Sequence, residues 1–111
     1  MNSGESFKEF IEDQLSALDG IEFKRMFGAY GIYWGEKFFA ILDEGRLYFK
    51  TNAESRVRYQ SLGSKPFTYE KKDPKTKQKK TACLKNYYEV PPDILENARL
   101  LREWAVESSA V

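Results

Sequence analysis

Six lysines and one aspartate crowd the stretch Lys71-Lys-Asp-Pro-Lys-Thr-Lys-Gln-Lys-Lys80. Its local charge of +5 sits in a chain of 18 basic and 17 acidic residues, net +1, so the other residues sum to −4. Lys71, Lys72, Lys75, Lys77, Lys79 and Lys80 could each neutralise a phosphate, which would give salt-dependent affinity for nucleic acid. The run also reads as a solvated hairpin tip whose lysines blunt a sheet edge and aid solubility. That second reading is the stronger one. Proline, threonine and glutamine between the lysines suit a mobile loop, and no arginine is present to clamp a phosphate with two parallel hydrogen bonds.

A second constellation interleaves aromatics with cations. Strand alternation along Arg46-Leu-Tyr-Phe-Lys50 puts Leu47 and Phe49 on one face, and Arg46, Tyr48 and Lys50 on the other. With Tyr30 and Tyr33 they make a candidate interaction surface. Such aromatics can stack bases, but the Lys/Arg-Gly-Phe-Gly-Phe signature of RNA-recognition sheets is absent. Catalysis has little to build on. The chain has no histidine, the commonest general base and metal ligand. Cys83, between Ala82 and Leu84, is expected to be a small buried strand residue rather than a nucleophile. Gly28, Gly31 and Gly35 fit neither common phosphate-loop spacing. No catalytic residue, metal ligand or cofactor is expected.

The elements that must position these residues are organised around Arg25-Met-Phe-Gly-Ala-Tyr-Gly-Ile-Tyr-Trp-Gly35. Aromatics and β-branched residues favour a pleated surface, so this stretch reads as two strands, about 22–28 and 30–35, bent around Gly28. Ahead of it, Phe7, Phe10, Ile11, Leu15 and Leu18 follow a helical rhythm over 6–19, with Ser6 and Glu9 as a capping box and Gly20 as the stop. After it, Phe38–Leu42 reads as a central strand covered on both faces, and Asp43-Glu-Gly45 as a hairpin turn into Arg46–Lys50. Asn52 caps a helix over 53–61 whose apolar residues, Ala53, Val57 and Leu62, are few. Runs at 67–71 and 81–90 form a closing hairpin. Pro91 and Pro92 open a last helix, 92–106, with Trp104 on its apolar stripe and anchored on the sheet. The final Ser108-Ser-Ala-Val111 reads as a fraying end.

At 111 residues the chain fits one domain. A single cysteine rules out an internal disulfide and suits a reducing, cytoplasmic setting. The N-terminus has no signal-peptide pattern, and no apolar run reaches membrane-spanning length.

Arg25-Met-Phe-Gly-x-Tyr-Gly-Ile-Tyr33, Leu47-Tyr-Phe-Lys50, Tyr87-Tyr-Glu-Val-Pro91 and Leu101-x-x-Trp104-Ala105 together resemble the N-terminal domain of the TfoX/Sxy family, over about residues 7–106. The resemblance implies a two-layer α+β domain spanning 1–111, its core about 6–107. It implies an antiparallel meander sheet of about five strands with N-terminal, middle and C-terminal helices, in an order close to α-β-β-β-α-β-β-α. Residue by residue, four strands precede the middle helix. TfoX/Sxy proteins regulate bacterial competence for DNA transformation together with the cyclic-AMP receptor protein. The best-known members carry a second, helical domain, and this chain is expected to be the first domain standing alone. The reading is a non-enzymatic regulator or adaptor whose partner is a protein, the cyclic-AMP receptor protein or other transcription machinery. The basic loop would steer an acidic partner. Direct nucleic-acid binding is the less favoured contact, and no membrane contact is expected. The alternative is a small-molecule or peptide-binding domain with a pocket beside the Gly28–Gly31 bend.

Overall fold

The computed structural model describes residues 3–26 and 28–111. The chain runs α1 (Ser3–Gln14), β1 (Ile21–Met26), β2 (Ala29–Trp34), β3 (Lys37–Asp43), β4 (Arg46–Lys50), α2 (Ala53–Ser61), β5 (Pro66–Lys72), β6 (Lys79–Glu89), α3 (Pro92–Leu95) and α4 (Ala98–Ser109). All strands join one six-stranded sheet in the order β1-β2-β3-β4-β6-β5, and each pairing is antiparallel. This is the expected α+β architecture. It has one strand more than the family pattern implies, because the turn at Gly35-Glu36 divides residues 29–43 into two strands, as the residue pattern alone indicates.

Turn chemistry sets the register of the first four strands. Met26 faces Ala29, and Gly28 closes that turn at φ +82°, a left-handed conformation that glycine adopts without strain. Asp43 faces Arg46 across Glu44 and Gly45, both at positive φ (50° and 73°). Positive φ at both central positions is the type I′ geometry that matches strand twist. Phe27 lies outside the described residues, as does the part of the expected first strand that includes it.

One side of the sheet carries every helix. Ile11 and Leu15 of α1, Tyr59 of α2, and Leu101 and Ala105 of α4 pack with Ile32, Phe39, Leu42, Leu47, Phe49 and Tyr88. The opposite side holds a smaller cluster without a helical member: Ala29, Ile41, Tyr48 and Phe67 are buried, flanked by Phe38 and Tyr87. The central strand β3 is therefore covered on both faces, as its apolar run suggests.

Several expectations need correction. Helix α1 stops at Gln14, short of residue 19, and hands over to short turns in which Ser16 N–H donates to Asp13 O and Leu18 N–H to Leu15 O. Ser6 lies inside that helix, so it does not cap it. The last helix is broken. Asn97 accepts from the Leu100 N–H at 3.1 Å and starts α4 afresh, after α3 has ended. The C-terminal serines do not fray: Ser108 is 3% exposed. Its hydroxyl lies 2.9 Å from both Phe39 O and Lys50 O, tying α4 to β3 and β4. Val57 and Leu62 of the middle helix point outward, 62% and 55% exposed, while Tyr59 anchors it at 1%. Cys83 is exposed. It faces Thr68 on the hairpin side opposite the Phe67–Leu84 pair. Among the described residues, no helix is long and apolar enough to cross a membrane.

Candidate interaction surface

Strand alternation decides what the helix-free side presents. Tyr33 pairs with Phe38 across β2 and β3, after a register shift between Ile32 and Tyr33. Their rings stack at 5.1 Å, and Phe38 continues to Tyr87 of β6 at 5.6 Å. All three are half-buried. Lys24 on β1 holds its ammonium 4.9 Å from the Tyr33 ring, within cation–π range. A second file runs edge-on from Tyr48 to Phe67 at 4.9 Å and on to Tyr69 at 5.9 Å. Tyr69 is 41% exposed, and Leu84 nearby is 36% exposed.

The five residues expected to share one surface are not brought together. Tyr30 lies on the helix side, between Lys8 (5.2 Å) and Arg25 (5.8 Å). Tyr48 is only 9% exposed, because Phe67 covers it. Arg46 is exposed and its charge acts on the Tyr48 phenol, with Glu89 close by. Lys50 is half-buried and faces Tyr87 across the β4–β6 seam. Only Tyr33 contributes a ring to the half-buried aromatic row. Phe38, Tyr69, Leu84 and Tyr87, which the sequence does not single out, complete that surface. Their common side follows only from cross-strand pairing, and the register shift in β2–β3 hides it from simple alternation.

Burial pushes the Tyr48 phenol above its ordinary value, and does the same to Tyr87, where the neighbouring Tyr33 adds to the effect. At neutral pH these phenols are therefore uncharged hydrogen-bonding groups. Asp43 is likewise raised, by burial first and then by Glu44. Among the described residues, no group of three or more carboxylates or thiols could hold a metal ion. Aromatic residues of this kind are enriched at the cores of protein interfaces.

The basic run is not a loose loop. Strand β5 extends to Lys72 and β6 begins at Lys79, so Lys71 faces Lys80 and Lys72 faces Lys79. Asp73 N–H donates to Gln78 O (2.9 Å), Lys77 N–H to Asp73 O (2.8 Å), and the Asp73 carboxylate accepts from Lys75 N–H (2.8 Å). At the other end of this arm, Lys85, Asn86 and Tyr87 have no partner on β5. Asn86 O instead takes Thr51 N–H (2.6 Å) and the Thr51 hydroxyl (2.9 Å), and its amide oxygen accepts from Arg56 (2.8 Å). The molecule measures 46 × 35 × 26 Å with a radius of gyration of 14.3 Å, against about 13 Å for a compact chain of this length. The β5–β6 hairpin, almost wholly exposed over residues 68–81, is in keeping with that excess.

A cleft of about 220 Å³ lies where α1 meets β1, lined by Glu12, Leu15, Ser16, Leu18, Asp19, Gly20, Ile21 and Phe23. That is below the roughly 300–1,000 Å³ of small-molecule pockets. Of the bend expected to flank a pocket, Gly28 to Gly31 are described, and the neighbouring Phe27 lies outside the described residues.

The family model of the TfoX N-terminal domain matches residues 13–111. Over 105 residues the chain is 30% identical to the DNA transformation protein TfoX of Haemophilus influenzae, an alignment covering 90% of this chain and 46% of that protein. The chain thus spans about half the length of this curated relative.

Proposed function

This chain belongs to the TfoX N-terminal domain family, and on that premise we propose that it is a cytoplasmic, non-enzymatic regulator of competence (DNA transformation) genes, working through protein contacts. The observation that carries the reading is the helix-free sheet side. Tyr33, Phe38 and Tyr87 form a half-buried row edged by Lys24 and Lys50, and Tyr69 and Leu84 extend it outward. Aromatic side chains that are partly covered and already ordered lose little entropy on docking, which is why they anchor protein interfaces. The absence of histidine from the chain and the neutral state of the buried tyrosines support a binding role over a catalytic one. The small-molecule alternative gains no support from the α1–β1 cleft, which is too small.

The partner proposed first is the cyclic-AMP receptor protein, with which the family is associated. Purified chain titrated with that protein, cyclic AMP present, should bind measurably, and Tyr33→Ala with Tyr69→Ala should weaken binding about tenfold or more. No association at about 100 μM would remove this partner. Equal affinity of the double variant would remove this surface.

A further inference from the structure

We infer that the β5–β6 arm is a ribbon that binds duplex DNA without reading its sequence, its lysines neutralising phosphates on both walls of one groove. The inference is independent of the protein partner proposed above, because it rests on the arm alone. An antiparallel ladder that sets Lys71 against Lys80 and Lys72 against Lys79 places like charges directly opposite one another, an arrangement that destabilises a sheet. Only one weak contact relieves it among the described residues. Lys79 reaches Glu70 at 3.8 Å, with both side chains more than two-thirds exposed. The Asp73 carboxylate is committed to the turn. Among the described residues, Lys71, Lys72, Lys75, Lys77 and Lys80 have no carboxylate at ion-pair distance. Five lysines of the arm and its closing turn therefore present uncompensated charge, with Lys79 only loosely paired, and the complementary ligand is a polyanion.

The placement of the lysines selects among polyanions. Alternation turns Lys71 and Lys80 to one face of the ribbon, and Lys72 and Lys79 to the other. A flat anionic bilayer, or an acidic patch on a protein, would meet one face only. The major groove of a duplex, about 12 Å wide, admits a two-stranded ribbon and lines both of its sides with phosphates. Unpaired strands are held mainly by stacking on aromatics, and between Tyr69 and Tyr87 there is no aromatic residue. Lysines contact phosphate as point charges, without the fork that reads a guanine edge, so the contacts fix position and carry no sequence preference.

The test is a titration of the full chain with a random 24-base-pair duplex, the matching single strand, phosphatidylserine vesicles and polyglutamate, at 50 and 200 mM salt. Four phosphate contacts predict a slope of log K on log salt of about −3.6 for the duplex, roughly a 100-fold loss between the two salt concentrations. Replacing Lys71, Lys72, Lys79 and Lys80 by glutamine should bring that slope close to zero. Replacing Lys37, Arg99 and Arg102, away from the arm, should leave it in place. Circular dichroism checks folding, and the glutamine variant should melt no lower than the parent because the like-charge pairs are gone. Arginine at the same four positions should restore binding, which a folding defect would not allow. Equal loss of binding in the off-arm variant would overturn the proposal, as would single strand, vesicles or polyglutamate bound as tightly as duplex.

Discussion

Tyr59 anchors α2 in a way that the apolar pattern of the helix conceals. The helix offers Val57 and Leu62 to solvent and buries a tyrosine, with the Tyr88 ring 6.2 Å and the Trp104 ring 5.0 Å away. Read as a sequence, one tyrosine in a polar helix carries no sign of burial, because its hydroxyl makes it equally at home on a surface. Burial, aided by Glu107, lifts its phenol well above the ordinary 10.0, while Arg58 opposes the shift. A group whose folded-state pKa is raised contributes stability that is complete below its unfolded pKa and lost as pH climbs past it. The unfolding free energy from urea titration should thus be insensitive to this group below pH 10 and fall above it, by up to about 1.4 kcal/mol per pH unit for each such phenol. Tyr48 and Tyr87 shift in the same direction. Tyr59→Phe should therefore shrink the alkaline fall without abolishing it. Identical alkaline profiles for the two proteins would show that Tyr59 ionises as freely as it does in the unfolded chain.

Between elements, the contact that the sequence reading describes only in part is the one made by Trp104. It lies on the stripe of α4, as the 3.6-residue period indicates, and packs against the main core, where its ring also meets α2. Tyr59 contacts it edge-on, and the Arg58 guanidinium sits 4.1 Å above it while also pairing with Glu107. Periodicity says which residues share a face but not which neighbour that face meets. The same limit explains Cys83, placed in the correct strand but on its exposed side. Caps are legible because their signal is local: Asn52 accepts from Ser55 N–H at 2.8 Å, as its position ahead of the helix suggests. The break at Asn97 carries a comparable signal, masked by the continuous apolar stripe around it. Trp104 is half-buried, so Trp104→Ala should cost about 2 kcal/mol, below the roughly 3–5 of a fully buried tryptophan. In a double-mutant cycle with Arg58→Ala, the coupling should be about 0.5–1 kcal/mol. Additive losses in chemical denaturation would mean that the cation and the ring are adjacent without interacting.

For the molecule as a whole, the α+β class and the strand positions are legible because β1, β2 and β3 each pair with their immediate successor. Hairpin turns announce such pairings in the sequence. The closing hairpin is legible, but the docking of β6 rather than β5 on β4 carries no local signature, so the sequence hides that seam and the helix-free cluster along with it. That seam also has a consequence in time. The meander closes short turns, whereas Lys50 must find Tyr87 and Leu47 O must find Val90 N–H (2.8 Å) from far along the chain. Distant closure is entropically slower, so the meander should already be formed at the folding transition state and the seam should join afterwards. Ile41→Val, inside the meander, should then slow refolding with a φ-value of about 0.5 or more. Val90→Ala, at the seam, should leave refolding nearly unchanged and speed unfolding, with φ below about 0.3. Stopped-flow refolding with the two values reversed would mean that the long-range seam nucleates the fold. When the meander forms first, the last strand to dock is the one that carries the basic arm, so the body of the protein is assembled before its most highly charged part is fixed in place.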